Sequence, residues 1–184
     1  MGELLRLNEI SRTAAPISVE NLRVFVKQNP NTDGENLEIA LAGAIDLAET
    51  YLNRYVLQVT MELTLDDWPS WDTIALLEPP VSSVVSIKYT DINGAEQTYA
   101  NTNYTLDSSG FHARIVLKSG SAWPILGTGV ARVRVRYVCG FASDALPAAV
   151  RSAILLLAEG LYERQKDNED AAYRLLSSHR MFIA

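Results

Sequence analysis

The spacing of hydrophobic and polar positions changes period twice along the chain. From Ser18, the segment SVENLRVFVKQ places Val19, Leu22 and Val26 at helical intervals, with Ser18 as the predicted N-cap. Asn29-Pro30-Asn31 ends it, because proline and the residue before it both disfavour helix. Thr32-Asp33-Gly34-Glu35 then reads as a capping box, a hydroxyl three residues ahead of a carboxylate. It opens a long helix to about Arg54. Leu37, Leu41, Ala44, Ile45, Ala48 and Leu52 fall on one face, and Glu38, Asp46, Glu49 and Asn53 on the other.

After Tyr55 the period becomes two. Leu57, Val59, Met61, Leu63 and Leu65 alternate with Gln58, Thr60, Glu62 and Thr64, the pattern of a strand with one wet face. Further strands are predicted at Thr73–Leu77, Val84–Thr90, Glu96–Tyr99, Tyr104–Leu106, Ala113–Leu117 and Val130–Val138. Asn93-Gly94 lies between two of them and predicts a type I′ hairpin turn. Helix returns after YVCGFASDALP, with Pro147 suited to a first turn and Ser143 or Asp144 near the cap. It runs to about Lys166, and its apolar arc of Val150, Ile154, Leu157 and Leu161 is widened by Leu155, Leu156, Ala158 and Tyr162. Such a helix is enclosed by its own core or by neighbouring subunits. A polar link KDNED precedes a short last helix, AAYRLLSSHR, and an apolar tail.

The order predicts an α+β fold. Helices at 18–55 and 141–184 pack as one small bundle, and an antiparallel β-domain at 56–140 is inserted between them. Residues 1–17 show no period and read as a flexible arm or a docking strand. A chain of 184 residues with 48% hydrophobic and 21% charged residues can build such a core without staples. The longest aliphatic run, AILLLA at 153–158, is too short for a bilayer. The N-terminus lacks the basic and apolar regions of a signal peptide. One cysteine makes no internal disulfide and fits a reducing compartment. The net charge of −6 argues against a surface that wraps nucleic acid, and it suits a surface DNA must slide past.

Candidate chemistry is sparse. Cys139 would need a histidine base, and the chain has only His112 and His179, with no nucleophile elbow. The simpler reading is a small apolar residue that ends a buried strand before Gly140. Two distant histidines and one cysteine make no zinc set. Asp66-Asp67 and Glu169-Asp170 are chain neighbours that point apart, and Gly127-Thr128-Gly129 lacks the lysine and setting of a phosphate loop. No cofactor is predicted, and no enzyme. Arg132, Arg134 and Arg136 alternate along one strand face, as a contact for an anionic partner or as a solvated face paired with acids such as Glu62. Trp68, Trp71 and Trp123 lie near turns, as a stacking platform for glycan or peptide or as plugs of the β-domain.

The segments NLEIALAGAIDLAETYLNRYV, LEPPVSSVVSIKYTDINGAEQTY, ARIVLKSGSAWP and VRVRYVCGFASDALPAAVRSAILLLAEGLYERQ follow one another at a familiar spacing. In this order the chain, from about Val19 to Arg180, resembles the head–tail connector (adaptor) proteins of tailed bacteriophages, in the branch with a β-domain between helical halves. Where relatives place a small residue before the glycine, this chain has Cys139; the arm to Ile17 has no clear counterpart. The resemblance implies a virion protein assembled in the host cytoplasm into a ring, usually of twelve subunits. That ring docks on a portal protein, lengthens the channel through which genomic DNA passes without sequence-specific binding, and supports a tail or stopper protein. No membrane is involved. It also implies that the C-terminal segment reaches into the portal, here His179, Arg180, Met181, Phe182 and Ile183. The alternative is a carbohydrate- or peptide-binding module built on the tryptophans.

Overall fold

The computed structural model describes residues 6–13, 17–28, 34–110, 112–164 and 167–181. The expected stop at Asn29-Pro30-Asn31 and residues Thr32 and Asp33 of the expected capping box lie outside them. The fold is α+β, in two compact units: a β unit of residues 1–13 and 58–140, and a helical unit of residues 14–57 and 141–184.

In the helical unit, α1 spans Val19–Phe25. Ser18 caps it as expected: its Oγ accepts from the Asn21 amide at 3.1 Å, while Asn21 Oδ1 accepts from the Ser18 amide at 3.0 Å. The long helix α2, Gly34–Leu52, buries the face read from its periodicity, from Leu37 to Leu52. Asn53 then adopts the left-handed conformation (φ 56°), and the Arg54 amide donates to the Glu49 carbonyl, closing the helix in a Schellman motif. Helix α3, Ala148–Glu163, starts directly after Pro147, and α4 covers Asp167–Ser177. The last helix therefore starts inside the segment expected to be a polar link. Glu169 and Asp170 in the first turn complement the helix dipole, and Asn168 donates to Glu159 at 2.9 Å. Leu22, Leu37, Leu52, Ile154, Leu157 and Leu176 belong to one buried cluster among the four helices.

The β unit carries β1 (Arg6–Arg12), β2 (Val59–Leu65), β3 (Thr73–Ala75), β4 (Val81–Thr90), β5 (Glu96–Tyr99), β6 (Tyr104–Asp107), β7 (Arg114–Leu117) and β8 (Val133–Cys139). They form a five-stranded sheet in the order β1-β2-β8-β4-β5 and a three-stranded sheet β3-β7-β6, with antiparallel pairing throughout. Arg6–Arg12, read from sequence as part of an arm, pairs with β2 as an edge strand, with a bulge between Glu9 and Ser11. Such an irregularity and the charges of Arg6, Glu9 and Arg12 blunt an open edge. Period-two burial puts Val59, Met61, Leu63 and Leu65 of β2, and Val133, Val135, Tyr137 and Cys139 of β8, on an interior face. Tyr137 closes the interior by donating its hydroxyl to the Leu77 carbonyl at 3.1 Å.

Two expectations change here. The β4–β5 turn is not type I′, since that turn needs positive φ at both central residues and only Gly94 has it (79°). The Gly94 amide donates to the Asp91 carbonyl and the Asp91 amide to Ala95, which gives a three-residue loop, Ile92 to Gly94. The Asp91 carboxylate accepts from the amides of Asn93 and Ala95 and so holds the wider loop. Strand β8 starts at Val133 rather than Val130, because Gly129 (φ 127°) and Ala131 (φ 55°) keep the chain turning.

Candidate functional site

Cys139 is the last residue of β8, fully buried and paired between Val59 of β2 and Val81 of β4. Both neighbours are apolar, and the strand position fixes the thiol in the interior. Among the described residues, no group of three or more His, Cys, Asp or Glu side chains is placed to hold a metal ion. No helix among them is long and apolar enough to cross a membrane.

Arg134 and Arg136 lie on β8 and Arg132 directly precedes it, and each guanidinium meets a carboxylate. Arg136 Nε donates to Glu62 at 2.6 Å, across the register pair Glu62↔Arg136. Arg134 pairs with Glu96, which also accepts from Lys88 Nζ at 2.6 Å. These five side chains form an ion-pair ladder across β2, β8, β4 and β5. Arg132 differs. It donates to the Asp66 carbonyl at 2.6 Å, the Gly127 carbonyl at 2.7 Å and the Asp67 carboxylate at 3.0 Å, with only 19% of its side chain exposed. It is a clamp between loops rather than a displayed cation.

That clamp ties loop 66–72 to loop 121–131, and the Gly127 amide, by donating to Thr90 at the end of β4, brings loop 91–95 to the same end of the β unit. Trp68 and Trp123 stack on each other, centroids 4.5 Å apart and planes 11° from parallel. Trp68 Nε1 donates to the Pro124 carbonyl at 2.7 Å, and Trp123 Nε1 to that of Trp71 at 3.4 Å. The two rings thus bind loop to loop, and Trp71 alone among the tryptophans is widely exposed, at 80%. Gly127 donates its amide to the Thr90 carbonyl, and a Cβ there would stand 2.4 Å from the Asp91 carbonyl oxygen. Only glycine allows that approach. In sequence Gly127 stands out only within the Gly127-Thr128-Gly129 run, because a backbone contact across loops leaves no local trace in composition.

In the helical unit, the five residues read as a packing arc divide. Val150, Ile154 and Leu157 are completely or almost completely buried in the unit's own core. Leu161 is 41% exposed and Tyr162 half-buried, and both line a groove of about 610 Å³ with Asn36, Ile39, Ala40, Gly43 and Arg164. Of the expected C-terminal docking residues, His179, Arg180 and Met181 are described, and Phe182 and Ile183 lie outside the described residues. The Met181 amide donates to the Leu52 carbonyl at 2.9 Å, Arg54 reaches the His179 carbonyl at 3.5 Å, and the Arg180 guanidinium lies over Tyr51. Arg54 itself stacks on Phe141, and burial pushes its pKa below the usual guanidinium value. The described part of the C-terminus is therefore seated on the end of α2. The stripe and the loop cluster belong to the β unit, the arc and the tail to the helical unit.

The fold is that of chains in gene transfer agent necks. A chain from the neck of an empty gene transfer agent (GTA) particle, computed with C6 symmetry, matches with a TM-score of 0.75 and 25% identity over 97% of each chain. One from the neck of the native GTA particle with C12 symmetry matches at 0.72 and 25%, again over 97% of each. A chain of the native GTA virion matches at 0.73 and 24%. No protein-family model and no curated protein matches the chain.

Sequence reasoning missed Glu49, assigned only to the wet face of α2. Its Oε1 accepts the amides of Val56 at 2.8 Å and Leu57 at 3.2 Å, securing the backbone where α2 gives way to the strand region. Helical periodicity marks Glu49 as polar but carries no sign of a partner seven residues on.

Proposed function

We propose that this chain is a structural protein of a virion neck: a head–tail connector whose copies form a ring on the portal, extend the DNA channel and support a tail or stopper protein. The observation that carries the reading is the end-to-end likeness to chains of GTA necks, spanning both units and not one element alone. Neck structures with C6 and C12 symmetry support a ring, and twelve copies fit the second. The ion-pair ladder supports a DNA conduit, because guanidinium groups already matched by carboxylates attract little phosphate. The buried position of Cys139 supports a structural role over thiol chemistry. The protein then resides at the head–tail interface of the particle, after assembly in the host cytoplasm.

Docking on the portal falls to the C-terminal segment from His179 onward, with Arg180 as charged anchor and Met181, Phe182 and Ile183 as apolar ones. Because the described part is seated on α2, docking exchanges or extends contacts already made there. Electron microscopy of the purified chain with its cognate portal tests the proposal. Ring-on-ring complexes are expected, and removal of residues 179–184 should abolish them. If no complex forms with the intact chain, and deletion changes nothing, the connector reading fails.

A further inference from the structure

The three-loop end of the β unit is unusual in what it exposes. Trp71, Ile92, Ile125 and Val130 are 80%, 68%, 80% and 70% exposed, and all four lie on loops 66–72, 91–95 and 121–131. Scattered apolar residues on a surface mean little, but a cluster on one rigid end marks an interaction surface. The end is rigid because the Arg132 clamp, the Trp68–Trp123 stack and the Gly127–Thr90 hydrogen bond tie the loops together. It is also acidic: the loops carry Asp66, Asp67, Asp72 and Asp91 and no Lys or Arg, and Arg132 beside them is spent on the clamp. Its occupant must be apolar with a cationic border. Phosphate chains are repelled.

The chain itself displays such a surface on α1. Val24 and Phe25 are 70% and 39% exposed at its end, and Lys27 follows on the surface. Over its own span α1 has Glu20 against Arg23, a net charge of 0, with Lys27 just beyond its end, whereas α2, α3 and α4 carry net charges of −4, −1 and −2 over theirs. Arg23 is paired with Glu20, so Lys27 is the cation α1 offers outward. In a chain of net charge −6, the end of α1 sets two exposed apolar side chains beside a surface cation and no carboxylate within the last turn.

We infer that the acidic, apolar loop end of one copy receives α1 of the next, with Val24 and Phe25 against Trp71 and Ile125 and Lys27 against the aspartates. Two different patches that fit each other make a head-to-tail contact, and such contacts generate rings when the rotation closes. The inference rests on the ring reading above and names the surfaces that would close it.

The test uses the full chain with p-benzoylphenylalanine in place of Trp71, mixed from light and heavy isotope batches and assembled on the cognate portal. Light–heavy crosslinks from position 71 to residues 20–27 are expected. Lys27→Glu should weaken ring assembly by about tenfold or more, and Asp72→Lys in the same chain should restore it. Trp71, Lys27 and Asp72 are surface residues, and an unchanged melting curve shows that the variants still fold. Rings that form while position 71 crosslinks elsewhere, or that ignore Lys27→Glu, overturn this inference and leave the ring reading standing. If no ring forms with the unsubstituted chain, both fall.

Discussion

Ile154 and Leu161 lie two turns apart on α3, and replacing each by alanine should separate core from surface. Ile154 is fully buried in the cluster shared with Leu37, Leu52 and Leu157. Truncating such a side chain removes buried methylenes and leaves a cavity, at a cost of about 2–5 kcal/mol. For a chain of this size each kcal/mol lowers the melting temperature by about 2–4 °C, so Ile154→Ala should lose roughly 4–20 °C. Leu161 keeps 41% of its surface in water and rests on Gly43, whose Cβ position is 3.2 Å from Leu161 Cδ1. Its truncation should cost about 1 kcal/mol or less, a shift of no more than about 4 °C. Circular dichroism melts of both variants, followed in the helical band, give the comparison. Equal shifts would refute the division of the arc into core and surface, and so would an Ile154→Ala variant that melts like the unsubstituted protein.

Three further outcomes follow from single contacts. Gly127→Ala forces a methyl against the Asp91 carbonyl and should destabilise the β unit by about 1–3 kcal/mol in urea unfolding, whereas Gly43→Ala should be neutral or stabilising by up to about 1 kcal/mol, because the exposed end of Leu161 can turn aside. Hydrogen bonds from the Ser109 hydroxyl and amide, and then Arg114, hold the Asp107 carboxyl at a pKa of about 2. A depressed folded-state pKa contributes stability above the ordinary carboxylate value of about 3.9 that disappears as pH falls toward 2, and Ser109→Ala should move the Asp107 midpoint upward in a carboxyl NMR titration. Cys139 should react with a disulfide reagent at least about 100-fold more slowly in the native chain than in denaturant, since a thiol buried in a paired strand reacts only on opening; rapid native labelling would contradict its placement.

Residues whose environment is set by their own element were legible before the structure. Periodicity identified the buried faces of α2 and β2, because burial there follows directly from the repeat of the helix or strand. Ser18 was legible as a cap because its partner lies three residues away. What distant segments decide was not. The Asn-Gly pair suggested a two-residue turn, but the Asp91 carboxylate organises a three-residue loop that no dipeptide encodes. The extension of α4 to Asp167 had been obscured by a run of polar residues whose carboxylates serve the helix start. The arginine stripe looked uniform in sequence, yet Arg132 clamps loops while Arg134 and Arg136 pair across the sheet, a difference set by segments 5 to 74 residues away.

That difference also bears on which surface can act. An alternating row of arginines invites an electrostatic role, but its guanidinium groups are already matched by carboxylates, and a pair exposed on both sides, such as Arg134–Glu96, contributes only about 0–1 kcal/mol. Arg136→Ala should cost some stability, because Glu62 is only 14% exposed and loses its partner, but it should change assembly little. The functional weight shifts to the exposed apolar tips of the loop end, beside the surface carboxylate Asp72, and to the exposed apolar end of α1 beside Lys27. If the proposed ring forms, the matched sheet face suits a wall beside DNA, while these two exposed apolar ends suit contacts between copies. Arg132 links the two regions. It begins the arginine row and also holds the loops in the shape that presents Trp71, so Arg132→Ala should impair assembly where Arg136→Ala does not. Comparing the two variants on the same portal would expose an error in that ranking directly, since equal assembly would mean the loop end has no part in the ring.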